Sequence, residues 1–484
     1  MDNIELREKL RSYQREALDM MENKKGILLY DDMGLGKCLT SLADLSRKLS
    51  GDNFDIIIVC GKKSLYVWGS SEENIGEVEK WLGMKSIIYH GTPHKREKAW
   101  REYVSGKSNH FLVTTYGMVE ELMHRKEVAW DGLICDEIHE NGLLNHKNIT
   151  YKLIDKFSRN IPFLWLLTGT PIRKGMVDLY GPLRLVDRKR FTSYWGYVNK
   201  YGIILATPFG KEIERRPRNP EEFREMLKAY MVRRTKQELR ERGDLKDLPD
   251  KQRQPIVIEM SEMQERVYNE LLMDMFSIDG DRVIIASNKM SVILRQRQLL
   301  VCPRILGIAD DGTALETIIA SGKELIDNQQ SFVIFTPFKE AFPFIRKKAE
   351  KEIKGIKIYE VHGDMSAKDF AVQWQTFQNS KTFNKMLICT IASASSFNAY
   401  TSSHCFFLGY EWDFNLNAQA EDRLCRYGQA SFVNCYYPMY RGTVDMDIKQ
   451  RLNDKQEASN WIVGTEEQYQ LLLKRYKANF GKTI

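Results

Sequence analysis

The sequence predicts an α/β protein: parallel, doubly wound sheets in two lobes, with helical insertions between them. Three observations lead there. Near-continuous apolar runs of strand length recur along the chain with helix-like stretches between them. The first of these runs leads straight into a glycine turn and a lysine. The alternation stops near Arg188 and returns near Ser331, so the 484 residues carry two such sheets, as expected of a chain too long for one core. The boundaries that follow are 1–187 for the first lobe, 188–307 for the insertions and connection, 308–464 for the second lobe, and 465–484 for a helical tail.

Taken in order, Leu10 to Met21 has the apolar spacing of a helix. Within it, Gln14 has an amide that donates and accepts at once, as the edge of adenine requires, or is simply a solvated helix residue. The run Gly26 to Tyr30 reads as a buried strand, Asp31 to Cys38 as a glycine loop, and Leu39 to Leu45 as a helix. Free N–H groups and the positive end of a helix dipole make such a junction a place where a phosphate chain docks. Lys37 would reach the terminal phosphates. The full pattern G-x-x-x-x-G-K-[ST] is not met, because Asp31 stands in place of the first glycine and Cys38 in place of the hydroxyl residue.

Further strands are expected at Ile56 to Cys60, Ser86 to Tyr89, Phe111 to Thr115, Gly132 to Glu137 and Phe163 to Thr170. Polar signals fall at their carboxyl ends, where ligands bind in sheets of this kind. Asp136 would hold Mg²⁺ and Glu137 would orient or deprotonate water, unless the two are an ordinary acidic pair at a strand exit.

From Arg188 to Gly307 long charged helical stretches take over, with Pro217, Pro220, Pro249 and Pro255 punctuating them. Strands resume at Ser331 to Thr336, Ile356 to Val361, Lys385 to Thr390, His404 to Leu408 and Asn434 to Tyr437, without a second glycine loop. Arg423 and Arg426 are three apart and so share a helix face. Together they suit a charged phosphoryl transition state, or they pair with Glu421 and Asp422.

Composition narrows the class. With 43% hydrophobic and 28% charged residues the chain reads as globular. No leader pattern opens it and no apolar run has membrane-spanning length, so a cytosol or nucleus is expected and a membrane partner is not. The eight cysteines include no C-x-x-C pair and read as small buried hydrophobes, with no zinc site or disulfide framework. A net charge of +7 permits a polyanion without demanding one. No internal repeat of solenoid length is visible.

The order of motifs resembles the SWI/SNF-type ATPases of helicase superfamily 2, from about Leu10 to about Leu452. The resemblance rests on Leu-Arg-Ser-Tyr-Gln14, Asp-Met-Gly-Leu-Gly-Lys37, Thr-Thr-Tyr116, Asp-Glu-Ile-His139, Leu-Thr-Gly-Thr-Pro-Ile172 and the segment from Asp178 to Asp187. It continues through Val-Arg-Arg-Thr-Lys236, Asp247-Leu248-Pro249, Arg-Gln-Arg-Gln298, Gln-Ala-Glu-Asp-Arg423 with Arg426-Tyr-Gly-Gln429, and Arg441 to Asp445. It implies two RecA-like lobes and an ATP-dependent translocase of double-stranded DNA, with ATP as substrate and Mg²⁺ as cofactor. By the same resemblance, Gln14 contacts adenine and Asp31, Asp32, Met33, Gly34, Leu35, Gly36, Lys37 and Cys38 hold the phosphates. Asp136 serves the metal, Glu137 the water, and Arg423 and Arg426 act as arginine fingers. Thr168, Gly169 and Thr170 link nucleotide to DNA, and Lys62, Lys63, Thr114, Thr115, Thr390 and Ser393 face the DNA. Such contacts go to phosphates, so sequence preference is expected to be weak and salt sensitivity marked.

Three departures from the family pattern stand out. Cys38 replaces a hydroxyl that ligates Mg²⁺, and a thiol suits that hard ion poorly. The stretch Ile391 to Asn398 lacks a usual glycine pair. No appended reader domain fits in the remaining residues, which points to a bacterial or viral motor. The rival readings are a strand-separating DNA or RNA helicase and, because of Cys38, a nucleic-acid-binding regulator that does not hydrolyse ATP.

Overall fold

The computed structural model describes residues 3–445 except 50–53, 71–74, 107–109, 170–174, 208–209, 246–249, 275, 280–281, 288, 398, 412–413, 427–428 and 444. Its contacts divide the chain into two compact units, the division falling between Lys246 and Asp247.

Six strands of the first unit are β1 (Gly26–Leu29), β2 (Asp55–Cys60), β3 (Ser86–Tyr89), β4 (His110–Thr115), β5 (Gly132–Cys135) and β6 (Phe163–Leu167). A hairpin, β7 (Gly202–Thr207) with β8 (Gly210–Pro217), stands apart, and β9 (Met231–Val232) returns to the sheet. The sheet order is β3-β4-β2-β5-β6-β1-β9, every pair parallel. Side chains explain why these strands read as unbroken apolar runs. Along β2, Ile57 and Val59 enter one core while Ile56, Ile58 and Cys60 enter the other, and β1 divides Leu28 from Ile27 and Leu29 in the same way. A strand with an apolar core on each face has no polar side to show. Each buried aliphatic side chain contributes about 1.5–3 kcal/mol, so the two cores hold the strand carboxyl ends rigidly in place.

The second unit begins with β10 (Lys251–Ile258), followed by a hairpin of β11 (Phe276–Asp279) and β12 (Arg282–Ile285). It continues with β13 (Phe332–Thr336), β14 (Lys357–Val361), β15 (Lys385–Thr390), β16 (His404–Phe407) and β17 (Val433–Tyr440). Its sheet order is β10-β17-β16-β13-β15-β14, again all parallel. The expectation of two parallel, doubly wound sheets is met. Within the stretch between the predicted lobes the structure has helices such as Pro220–Lys228 and Glu262–Asp274. It also has two hairpins and the edge strands β9 and β10, which apolar periodicity did not announce, because these strands are short or alternate with polar residues. All eight cysteines are free thiols. Among the described residues no helix is long and apolar enough to cross a membrane.

Candidate functional site

The glycine loop leaves β1 beneath two cationic side chains that sequence reading gave no role. Asp31 is fully buried, and its carboxylate is gripped from two sides by Arg234. The Arg234 Nε donates to Oδ1 at 3.0 Å, a second guanidinium nitrogen donates to Oδ2, and the Arg234 backbone N–H donates to Oδ1 at 2.9 Å. The guanidinium also lies over the Tyr13 ring, 5.3 Å from its centroid. Asp32 Oδ2 accepts the Lys236 backbone N–H at 3.0 Å, and Arg233 donates to the Tyr30 carbonyl at 2.8 Å. These cations arrive because β9 pairs in parallel with β1, which sets Val232 beside Leu29 and the following arginines beside the loop. Asp31 and Asp32 therefore anchor the loop through their side chains. What they leave for a phosphate chain is backbone.

Gly34 and Gly36 have φ of 82° and 77°, a region that glycine enters without strain. A Cβ on Gly36 would also lie 2.5 Å from Gln14 Nε2 and push that amide aside. Gln14 itself is buried, with its carbonyl accepting the Arg11 N–H at 3.0 Å and its amide donating to the Leu35 carbonyl at 3.3 Å. Its contact in this structure is thus with the loop. Lys37 opens the helix Lys37–Lys48, and its Nζ lies 2.9 Å from the Asp31 carbonyl and 3.4 Å from that of Asp32. At the end of β6, Gly169 abuts this loop: a Cβ there would meet Met33 Cγ at 2.5 Å and Lys37 Nζ at 3.4 Å.

Asp136 follows β5, two strands along the sheet from β1. Its Oδ2 accepts the Trp68 indole N–H at 2.8 Å, and its Oδ1 accepts the Glu137 backbone N–H at 3.0 Å. Burial and the adjacent Glu137 charge push the Asp136 carboxyl up to about 7, with Trp68 and Lys37 pulling the other way. Glu137 sits at φ 45°, a left-handed conformation that costs a non-glycine residue about 1–3 kcal/mol. Its Oε2 is 3.3 Å from His139 Nδ1, which is 2.8 Å from the Thr168 hydroxyl. Thr168, Gly169, Lys37 and the acidic pair thus converge at the carboxyl ends of β1, β5 and β6. Thr170 lies outside the described residues.

A buried carboxyl held well above its usual range, with a partly buried one beside it, makes a place that a cation would relieve. Among the described residues there is no cluster of three or more metal-ligating side chains. Mg²⁺ takes one or two carboxylates and completes its shell with water and substrate phosphates, so the Asp136–Glu137 pair has donors of the right type for it. Cys38 adds little: burial and the Asp136 charge hold its thiol well above its ordinary range, so it stays neutral.

Lys62 and Lys63 begin the turn Lys62–Ser64 after β2, and Thr114 and Thr115 end the neighbouring β4, with Cys60 registered to Thr115. The four residues therefore share one stretch of sheet edge. Lys62 is exposed, whereas Thr114 is buried with its hydroxyl on the Tyr89 carbonyl at 2.8 Å.

Thr390, Ser393, Arg423 and Arg426 belong to the second unit. The Thr390 hydroxyl donates to Ser393 Oγ at 2.7 Å. The helix Phe414–Glu421 ends before the two arginines, which lie in the turn beyond it, so the shared helix face expected from their spacing is not formed. Arg423 is buried, with one nitrogen 3.4 Å from the Phe397 carbonyl, and Arg426 is partly exposed. Glu421, just before them, accepts Lys251 at 2.5 Å, Arg253 at 2.6 and 2.7 Å, and the Tyr437 hydroxyl. Asp422 also accepts Lys251, at 3.0 Å. The acids preceding the two arginines are thus engaged by cations of β10.

Comparison with known proteins also finds two parts, with a boundary further along the chain than the one its contacts draw. An SNF2-related domain matches residues 13–306, and a helicase conserved C-terminal domain matches residues 314–428. The CHD3-type chromatin-remodeling factor CHR7 of Arabidopsis thaliana is 24% identical over 487 residues, covering 94% of this chain and 38% of that protein. Chromodomain-helicase-DNA-binding protein 1-like of Danio rerio is 24% identical over 98% of this chain and 45% of its own length. An uncharacterized ATP-dependent helicase of Mycoplasma pneumoniae is 24% identical over 93% of this chain and 42% of its own. The chain spans less than half the length of these three relatives. A solved Sulfolobus solfataricus SWI2/SNF2 ATPase core in complex with dsDNA aligns over 97% of this chain and 96% of its own at 23% identity, with a TM-score of 0.42. With more than half of its residues under one domain signature, the chain belongs to the SNF2-related family of helicase superfamily 2.

Proposed function

We propose that the chain is an ATP-dependent translocase on double-stranded DNA, with its nucleotide lobe over 1–187 and its second lobe over 308–464. The observation that carries this reading is the convergence of the glycine loop, Lys37, Asp136, Glu137 and the Thr168–Gly169 strand end along one sheet edge. In it, the N–H groups of residues 33–38 cradle the phosphates and Lys37 moves from the loop carbonyls to the terminal phosphate. Mg²⁺, when bound through Asp136, neutralises charge on the phosphates. Glu137 orients the attacking water, and the strained backbone and His139 fix where its carboxylate points. His139 in turn contacts Thr168, so the state of the water-orienting acid is felt at the end of β6. Arg423 and Arg426 stabilise charge on the transferring phosphoryl group from the second lobe. Lys62 and Lys63 meet DNA phosphates, and the buried Thr114, Thr115, Thr390 and Ser393 shape the strand ends behind the contact surface.

Cys38 favours a second reading, a nucleic-acid-binding regulator without turnover, since it brings a neutral thiol to a position where a hydroxyl would serve the metal. Steady-state ATP hydrolysis separates the two, measured with Mg²⁺ and either no nucleic acid, duplex DNA, single-stranded DNA or RNA at one salt concentration. Strong stimulation by duplex supports the translocase. Preference for single strands or RNA replaces it with a strand-separating helicase, and no hydrolysis from folded protein replaces it with the regulator.

A further inference from the structure

Trp68 ends the four-residue helix Leu65–Trp68, on the segment that starts with Lys62 and Lys63. It is wholly buried, and its backbone is clamped on both sides. A Cβ on Gly76 would lie 2.5 Å from the Trp68 carbonyl oxygen, and a Cβ on Gly69 would lie 2.7 Å from Ile88 Cγ1, so neither neighbour leaves the turn room to shift. Leu65 and Val78 share the same core, which fixes the ring as firmly as the backbone. Packing by itself asks only for a large apolar side chain. What an indole adds is one N–H, and a buried N–H needs a partner. Here the partner is Asp136 Oδ2 at 2.8 Å.

The two oxygens of Asp136 are therefore set by donors from different elements: Oδ2 by the indole from the turn after β2, and Oδ1 by the backbone N–H that follows β5. We infer that Trp68 is a positioning residue for the metal-binding carboxylate, its indole N–H holding Asp136 in one orientation before a divalent cation arrives. This rests on the assignment of Asp136 to the metal. A carboxylate held by a single donor could rotate about its side-chain bonds and would have to be reordered on binding. Partners in this role commonly change metal affinity 10–100-fold when removed.

The test is Trp68→Phe, which keeps an aromatic ring in the core and removes the donor. Binding of Mn²⁺, a hard cation with an electron spin resonance signal, is titrated with protein in excess over ADP, beside Asp136→Asn and the unaltered chain. The metal-free affinity for fluorescently labelled ADP is read separately in EDTA. The inference expects the Mn²⁺ dissociation constant to rise about tenfold or more in Trp68→Phe, with metal-free ADP affinity within about twofold. Unchanged Mn²⁺ affinity in folded Trp68→Phe, alongside weakened binding in Asp136→Asn, overturns the role of Trp68 and leaves the metal assignment standing. Unchanged affinity in Asp136→Asn removes the metal assignment and this inference with it. If Trp68→Phe melts early, β-(3-benzothienyl)alanine at position 68 keeps the bicyclic shape, lacks the N–H, and carries the same readouts.

Discussion

The two units solve one problem with opposite burial. In each, an edge strand from the stretch between the predicted lobes carries cations to an acidic pair that precedes candidate functional residues. In the first, β9 delivers Arg233 and Arg234 to Asp31 and Asp32, ahead of Lys37. In the second, β10 delivers Lys251 and Arg253 to Glu421 and Asp422, ahead of Arg423 and Arg426. Arg234 is buried with its partner, whereas the Arg253 side chain is 49% exposed and Lys251 shares its load. The difference teaches where each unit tolerates loss. A two-residue edge strand with one buried bidentate pair has no reserve. An eight-residue strand with two cations on one carboxylate has some.

The sharpest way to break that comparison is stability. Arg234→Ala should cost about 3–5 kcal/mol, because it leaves a buried carboxylate without its cation. Arg253→Ala should cost about 1 kcal/mol, since solvent and Lys251 remain. Urea unfolding of the two variants checks this, and equal losses would show that exposure does not set the reserve. Next in size is turnover. Lys37→Ala should lower ATP hydrolysis by about 10²-fold or more and weaken nucleotide binding. Arg426→Ala should lower hydrolysis comparably while leaving ATP affinity within a few-fold. Steady-state kinetics with a nucleotide titration separates them, and a large loss of affinity with unchanged turnover in Arg426→Ala would remove its role.

Acid stability distinguishes the units more gently. Burial pushes the Glu421 carboxyl up, but Lys251 and Arg253 pull it down further, to about 2 from an ordinary 4.5. A depressed folded value means stability that is present above 4.5 and lost as pH falls toward 2. Glu421→Gln should therefore be less stable at neutral pH yet lose less on acidification over that window. Thermal melts of both proteins between pH 7 and pH 3 read the slope, and parallel curves would show that this carboxyl does not govern it. The smallest expected effect is Cys38→Thr, which restores a hydroxyl beside Lys37. A tenfold rise in hydrolysis corresponds to about 1.4 kcal/mol of transition-state stabilisation. No rise would show that water serves the metal equally well.

Much of the site was legible before the structure because its residues lie close together in sequence and carry distinctive chemistry. Residues 31–38 with Asp136 and Glu137 stand out through glycine, lysine and paired acids at the ends of apolar runs. The Arg233-Arg234-Thr235-Lys236 segment was visible as a motif, but its partner lies some 200 positions away, and no local pattern says which acids it meets. Trp68 gave no signal at all, since a tryptophan among apolar residues reads as core whether or not its N–H has work. Thr114 shows the reverse error, a polar residue at a strand end whose hydroxyl is satisfied by the neighbouring strand.

The sequence by itself determined two parallel sheets and the positions of the loop and the acids at strand ends, because strand burial on both faces and glycine turns are properties of short stretches. The helix expected under Arg423 and Arg426 ends at Glu421 instead. Only tertiary structure decided what those residues touch. It turned Asp31 to Arg234, set Gln14 against the loop, tied Glu421 to β10 and gave Asp136 its indole donor. Parallel pairing joins strands that are remote in the chain, so the contacts made at their ends are fixed by strand order, which no local spacing encodes.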